Sequence, residues 1–335
     1  MSKLRFGVLS TANIGRNQVN PAIQASRNAE LLAVASRDLN RAREFAAKSS
    51  IPRYYESYEA LLDDADIGAV YIPLPNSMHR EWTIRAAEKG KHILCEKPLA
   101  TSVADCREMQ AAADANGVTL MEAFMYRFHP RTQKLLELVA GGAAGEVRVI
   151  RSAFTFKLLR ADNIRFFSEL GGGCLYDLGC YCVDASRRLA GAEPVEAQAF
   201  AHWNERGVDT QLTGTLRFGN GASAHFDCSF MMERREFVEA AGVDGTIVSA
   251  SGTFVNSTDE VEIIQYRGRE PRIVHSVAGD NHYRLMVEHF ADVVGGAASL
   301  RYGTSEAIGN LAAIEALYES ARFGGRPVPV APGSR

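Results

Sequence analysis

The first 125 or so residues alternate between short apolar runs and amphipathic helical runs, and that alternation leaves few folds open. Residues 4–10 (LRFGVLS) read as a short apolar strand. Gly15 opens a helical stretch, and Pro21 starts a second one, since proline is tolerated at a first helical position. Residues 30–36 (ELLAVAS) read as a buried strand and 40–48 as a polar-faced helix. Ser57 is placed to cap a short helix at 58–63. A strand at 68–72, a helix at 78–89, a strand at 92–95, a helix at 102–116 and a strand at 119–122 complete the series. Repeated β-α-β alternation predicts an α/β domain, a doubly wound parallel sheet with helices on both faces.

The pattern changes after Ala140, where Gly141, Gly142 and Gly145 form a junction. Alternating runs follow at 147–156, 195–203, 210–218, 222–230, 236–241, 246–250 and 260–266, punctuated by hairpin-like links such as Gly219-Asn220-Gly221. They predict an α+β domain with a mostly antiparallel open sheet, one face of it free for a partner. Helices at 283–294 and 305–322 are expected to cover or brace that sheet. Two domains result, 1–125 and 126–335, in keeping with a chain of 335 residues.

Composition removes several function classes. A formal net charge of −3 gives no field that would draw the chain to nucleic acid or an anionic membrane. No apolar run approaches the roughly 18 residues of a membrane span. Residues 1–10 lack the basic and apolar regions of a secretory signal, so a cytoplasmic protein is expected. The six cysteines form no CxxC pair and no zinc-finger spacing. Reduced thiols and no metal are the expectation.

The turn after the first strand carries a chemical signal. Ser10, Ala12 and Gly15 stand where a G-x-G-x-x-G loop has its glycines, in the strand–turn–helix context that cradles a pyrophosphate. Taken alone it could be a plain βα turn. The second strand ends at Ser36-Arg37, where an acid would favour NAD by accepting from the ribose 2′-hydroxyl. Ser36 has no charge to repel a 2′-phosphate, Arg37 offers a fork of donors, and Arg41 adds charge one turn on. NADP is therefore expected, with NAD possible. Asp38 is acidic and close but reads more simply as a helix cap. Further along, the strand at 92–95 delivers Glu96-Lys97-Pro98 to the sheet edge where ligands bind in open α/β folds.

The chain resembles the glucose–fructose oxidoreductase/inositol dehydrogenase/MocA family. The likeness rests on GVLSTANIG at 7–15, PNSMH at 75–79, EKP at 96–98 and GGGCLYDLGCY at 171–181, and spans essentially the whole chain. It implies an N-terminal Rossmann domain, an open antiparallel sheet used for homodimer or homotetramer contacts, and a nicotinamide cofactor. Tyr181 stands where inositol dehydrogenase-like members usually have His. With EAFMYRFHP at 122–130, it makes the chain similar to the branch holding NADP-dependent D-xylose dehydrogenases and dimeric dihydrodiol dehydrogenases. The family's cofactor positions fall on Ser10, Thr11, Ala12, Asn13, Ile14, Ser36, Arg37, Pro73, Leu74, Asn76, His79, Glu96 and Lys97, with Arg165 a further addition.

Oxidising a sugar or polyol-like hydroxyl needs a hydride acceptor and a group that takes the proton. Tyr181 is the candidate base. Its ordinary pKa, near 10, is too high unless a cation such as Lys97 favours the phenolate. Asp177, one helical turn before Tyr181, is expected to orient Lys97 or a sugar hydroxyl, and the glycines at 171–173 to let backbone approach the ring. The leading expectation is oxidation of an aldose such as D-xylose at C1 to its lactone. A trans-dihydrodiol or a keto sugar reduced in the opposite direction is the alternative. A cofactor cycling between two sugars is disfavoured, because no N-terminal arm is seen to clamp it. A nucleotide-binding protein without chemistry is disfavoured by Lys97 and Tyr181 together.

Overall fold

Six strands pair in parallel throughout the first part of the computed structural model, which describes residues 3–250 and 252–331. They are β1 (Leu4–Leu9), β2 (Ala29–Ala35), β3 (Arg53–Tyr55), β4 (Ala69–Ile72), β5 (His92–Glu96) and β6 (Leu120–Ala123). Their order is β3-β2-β1-β4-β5-β6, so the winding reverses between β1 and β4, and all six carboxyl ends share one edge. The Rossmann arrangement has this order, with the ligand crevice at that reversal. Both faces of the sheet are covered, which is why β1 and β4 are apolar almost without alternation. The helices are α1 (Asn20–Ala25), α2 (Leu39–Lys48), α3 (Tyr58–Leu62), α4 (His79–Glu88) and α5 (Val103–Ala115). Ser57 caps α3 and Asp38 caps α2, each accepting a backbone N–H three residues on. Gly15 opens a π-helical turn, Gly15–Val19, that runs into α1.

The second part begins with α6 (Pro130–Ala140), β7 (Val147–Thr155) and α7 (Cys180–Ala190). Its remaining strands are β8 (Pro194–Trp203), β9 (Asp209–Phe218), β10 (Ser223–Ser229), β11 (Arg235–Gly242), β12 (Thr246–Ser249), β13 (Val261–Tyr266) and β14 (Ile273–Val277). Then come α8 (His282–Val294), α9 (Thr304–Arg322) and β15 (Val328–Pro329). The nine-stranded sheet runs β14-β13-β12-β11-β7-β10-β9-β8-β15, antiparallel everywhere except between β7 and β10. On β9 the residues Leu212, Leu216 and Phe218 are buried while Gln211, Thr213, Thr215 and Arg217 are exposed. Period-2 patterning of this kind marks a sheet with one covered and one open face. The covering helix is α9, whose Ser320 hydroxyl accepts the Ala199 N–H of β8 at 2.9 Å.

Contacts divide the chain into Met1–Met125 with Asn281–Ala307, and Tyr126–Asp280 with Ile308–Arg335. The single boundary expected at 125 therefore needs correction, as does the role expected of the helix at 283–294. α8 belongs to the first unit. Its Phe290 packs on Phe6 of β1 at 5.8 Å, and its Asp292 accepts from Asn28 Nδ2 at 2.7 Å. An amphipathic helix does not say which sheet its apolar face will meet. No helix among the described residues is long and apolar enough to cross a membrane.

Candidate active site

In the first unit, the loop after β1 keeps a glycine-like conformation without the glycine. Ser10 has φ 144°, a region L-residues rarely adopt. Two hydrogen bonds hold it there: its hydroxyl donates to the Pro73 carbonyl and accepts from the Ala12 N–H, both at 3.2 Å. Ser10 thus ties the β1 loop to the segment Pro73, Leu74 and Asn76 after β4, across the reversal of winding. Thr11, Ala12 and Ile14 are partly exposed and Asn13 is exposed, as a backbone cradle for an anion requires.

At the end of β2, Ser36 is buried and its hydroxyl accepts from the Asp38 N–H at 3.3 Å. Asp38 turns its carboxylate to the Arg41 N–H at 3.0 Å, so the one acid at this position is engaged in capping α2. Arg37 and Arg41 are both exposed, and both counter the rise that burial imposes on the Tyr58 phenol. Among the described residues neither guanidinium has an ion pair or a hydrogen bond to protein. Two unpaired cations beside a neutral strand end fit a 2′-phosphate.

Lys97 follows β5 and is partly exposed. The preceding residue, Glu96, accepts from the Tyr71 hydroxyl at 2.5 Å through one oxygen and from the Lys97 N–H at 3.3 Å through the other. Burial and the Glu96 carboxylate push the Tyr71 phenol well above its ordinary range, so it remains a donor. His79 is fully buried. Its ring nitrogens lie 3.0 Å from the Pro98 carbonyl and 2.9 Å from that of Leu74, and burial lowers its pKa. It joins the loops after β4 and β5.

In the second unit, Asp177 sits in a π-helical turn, Leu175–Gly179, that continues into α7, where Tyr181 is the second residue. The Tyr181 ring is 3% exposed and packs against Tyr126, Phe154 and Phe254 at 5.3–5.4 Å. Arg165 pairs with Asp177 through Nε at 2.6 Å. Gly172 and Gly173, expected to let backbone approach a ligand, lie close against protein atoms. A Cβ on Gly172 would lie 2.5 Å from the Arg165 carbonyl, and one on Gly173 2.2 Å from the Asp209 carboxylate. His129 caps α6, accepting the Arg131 N–H at 3.0 Å, while its other nitrogen meets the Ser257 carbonyl at 2.9 Å.

Two carboxylates escaped the sequence reading. Asp184, one turn beyond Tyr181, is fully buried and bonded to Tyr126, Arg127 and Arg188. The i,i+3 and i,i+4 spacing to Arg187 and Arg188 was the available signal. Asp209, at the start of β9, gives no signal in the sequence.

Comparisons with known proteins agree with this architecture. A family model described as "Oxidoreductase family, NAD-binding Rossmann fold" matches residues 4–124, and one described as "GFO/IDH/MocA C-terminal domain" matches residues 132–248. The chain is 39% identical to D-xylose 1-dehydrogenase (NADP(+)) 2 of Haloferax volcanii over 96% of its length and 98% of the relative's. It is 36% identical to a trans-1,2-dihydrobenzene-1,2-diol dehydrogenase of Mus musculus over 72% of this chain and 73% of that one. Among solved structures, KijD10, a 3-ketoreductase from Actinomadura kijaniata in complex with NADP and TDP-benzene, superposes with a TM-score of 0.90 at 27% identity, covering 95% of this chain and 98% of that one. The aldose-aldose oxidoreductase of Caulobacter crescentus, complexed with glycerol, gives 0.89 at 29% identity over 98% and 99%.

Proposed function

The chain belongs to the Gfo/Idh/MocA oxidoreductase family, and from that premise we propose that it is an NADP-dependent dehydrogenase oxidising the C1 hydroxyl of an aldose such as D-xylose to the lactone. The observation that carries the reading is the carboxyl edge of the first sheet, where Arg37 and Arg41 stand unpaired beside Ser36 and Lys97 follows a braced Glu96. Residues 10–14 would hold the pyrophosphate, and Arg37 and Arg41 the 2′-phosphate. When bound, NADP⁺ accepts the hydride. Tyr181 takes the hydroxyl proton, and the Lys97 ammonium favours the phenolate that does so. Asp177, held by Arg165, orients a neighbouring hydroxyl of the sugar.

A panel of aldoses, trans-dihydrodiols and keto sugars, followed at the absorbance of the reduced nicotinamide, tests the assignment. The highest kcat/KM is expected for a five-carbon aldose with NADP⁺. Turnover with a diol and with no aldose would replace it by the second reading, dihydrodiol oxidation. That alternative is supported by the 36% identity to a trans-1,2-dihydrobenzene-1,2-diol dehydrogenase of Mus musculus.

A further inference from the structure

We propose that Asp209 is a positioning residue for Tyr181: its buried carboxylate seats the first turn of the helix from which Asp177 and Tyr181 project. The inference rests on the reading of Tyr181 as the acid–base group. Leu175 is the first residue of the π-helical turn, and its N–H is among the first-turn donors that a helix cannot satisfy itself. Asp209 reaches in from β9 and accepts that N–H on Oδ2 at 2.7 Å. The Cys174 thiol donates to the same oxygen at 3.1 Å, and the Tyr318 hydroxyl on α9 donates to Oδ1 at 2.8 Å. The carboxylate is 1% exposed. Gly173, at φ 133°, is the residue that makes room for it: a Cβ there would also meet the Tyr318 oxygen at 2.6 Å.

The helix bearing Tyr181 is therefore pinned on both sides of the phenol. Asp209 holds it at Leu175, and Asp184 holds it one turn past Tyr181. Between the anchor at Leu175 and Tyr181 lies the π-helical turn, a widened geometry often found at functional sites. A shift of the first turn passes directly to the phenol.

The same cluster gives the role a pH signature. Burial pushes the Asp209 carboxyl up to about 6, against the pull of its three donors. The groups that face it are the Cys174 thiol on the turn, the Cys228 thiol on β10 and the Tyr318 phenol on α9. Burial pushes all three up, so they stay neutral where Asp209 titrates.

The test compares kcat of wild type and Asp209→Asn from pH 5 to 9 on the best aldose. Asparagine keeps the size and one acceptor but removes the charge, so wild type should lead by about tenfold at pH 7 and above, the scale of a charge-assisted hydrogen bond. That ratio should fall towards one below pH 5, where Asp209 is itself neutral, while NADPH binding by fluorescence stays unchanged. A ratio constant across pH is what a merely structural lesion gives, and it overturns the proposal, as does a ratio near one at pH 7. Should Asp209→Asn fail to fold, Tyr318→Phe removes one donor and should move the wild-type midpoint to higher pH; an unmoved midpoint is equally negative. Tyr181→Phe, run in parallel, separates the two claims. Lost turnover there with a flat Asp209→Asn ratio overturns positioning alone. Near-normal turnover there overturns the phenol's role, and the positioning proposal with it.

Discussion

The Arg127 guanidinium grips Asp184 with two hydrogen bonds, Nη2 to Oδ1 at 2.7 Å and Nε to Oδ2 at 3.1 Å, and neither residue is more than 1% exposed. Arg188 adds a third at 2.9 Å, and the Tyr126 hydroxyl a fourth. Asp184→Asn leaves a buried guanidinium without its counter-charge, which costs about 3–5 kcal/mol when one partner of a buried pair is removed. The arginines hold the Asp184 carboxyl far below its ordinary value despite burial. A depressed folded-state pKa contributes stability that is complete above the unfolded value, near 3.9, and is lost as pH falls below it. Urea unfolding at pH 7 should show the loss in Asp184→Asn, and the gap to wild type should narrow as the buffer is taken below about pH 4. A gap unchanged in acid would place the cost in packing instead.

Cofactor choice is the next expectation. Arg37→Ala removes a cation placed beside a strand end whose one acid, Asp38, is engaged in capping α2. NADP⁺ binding should weaken about tenfold or more, the scale of one charge-assisted hydrogen bond, with NAD⁺ affinity changing little. Arg41→Ala should act in the same direction and more weakly. Equal losses for both dinucleotides would remove the 2′-phosphate assignment.

Assembly follows from the open face of the second sheet, where Gln211, Thr213, Thr215 and Arg217 line β9 in the exposed register. A homodimer, or a homotetramer built as a dimer of dimers, is expected through this face, two-fold pairing being the commonest oligomer symmetry. Thr215→Glu adds a charge to that face of each copy and should shift light scattering towards the monomer at micromolar concentration. A wild-type monomer under those conditions rules the interface out.

Much of the scaffold was legible because its signals are local. β1 and β4 are buried on both faces and read as apolar runs, while β9 is buried on one and alternates. β3 and β15 have three and two residues, too few for any period, and the expectation also missed β14. What stayed hidden was long-range. Asp184 finds Arg127 57 residues away, and Asp209 meets Leu175 34 residues away. An isolated acid in a sequence looks like solvated surface until its donors are known. The glycines at 171–173 suggested room for a ligand, yet the Arg165 carbonyl lies against Gly172 and the Asp209 carboxylate against Gly173.

The catalytic pair is the last expectation. Tyr181→Phe keeps the ring, and with it the packing against Tyr126, Phe154 and Phe254, so folding and NADPH binding should survive. Turnover should fall by ~10²–10⁴-fold, the usual range for a lost general base. Lys97→Met should cost at least as much, because it removes both the charge that favours the phenolate and a donor to the substrate oxygen. The double variant should be little worse than Lys97→Met alone, since residues that act as one unit are not additive. Wild-type activity should rise with pH through an ionisation below the ordinary tyrosine value, near 10, and Tyr181→Phe should lose that limb. If Tyr181→Phe turns over nearly normally on the best substrate, the phenol is not the base. The proton would then pass to Lys97, acting as a neutral amine.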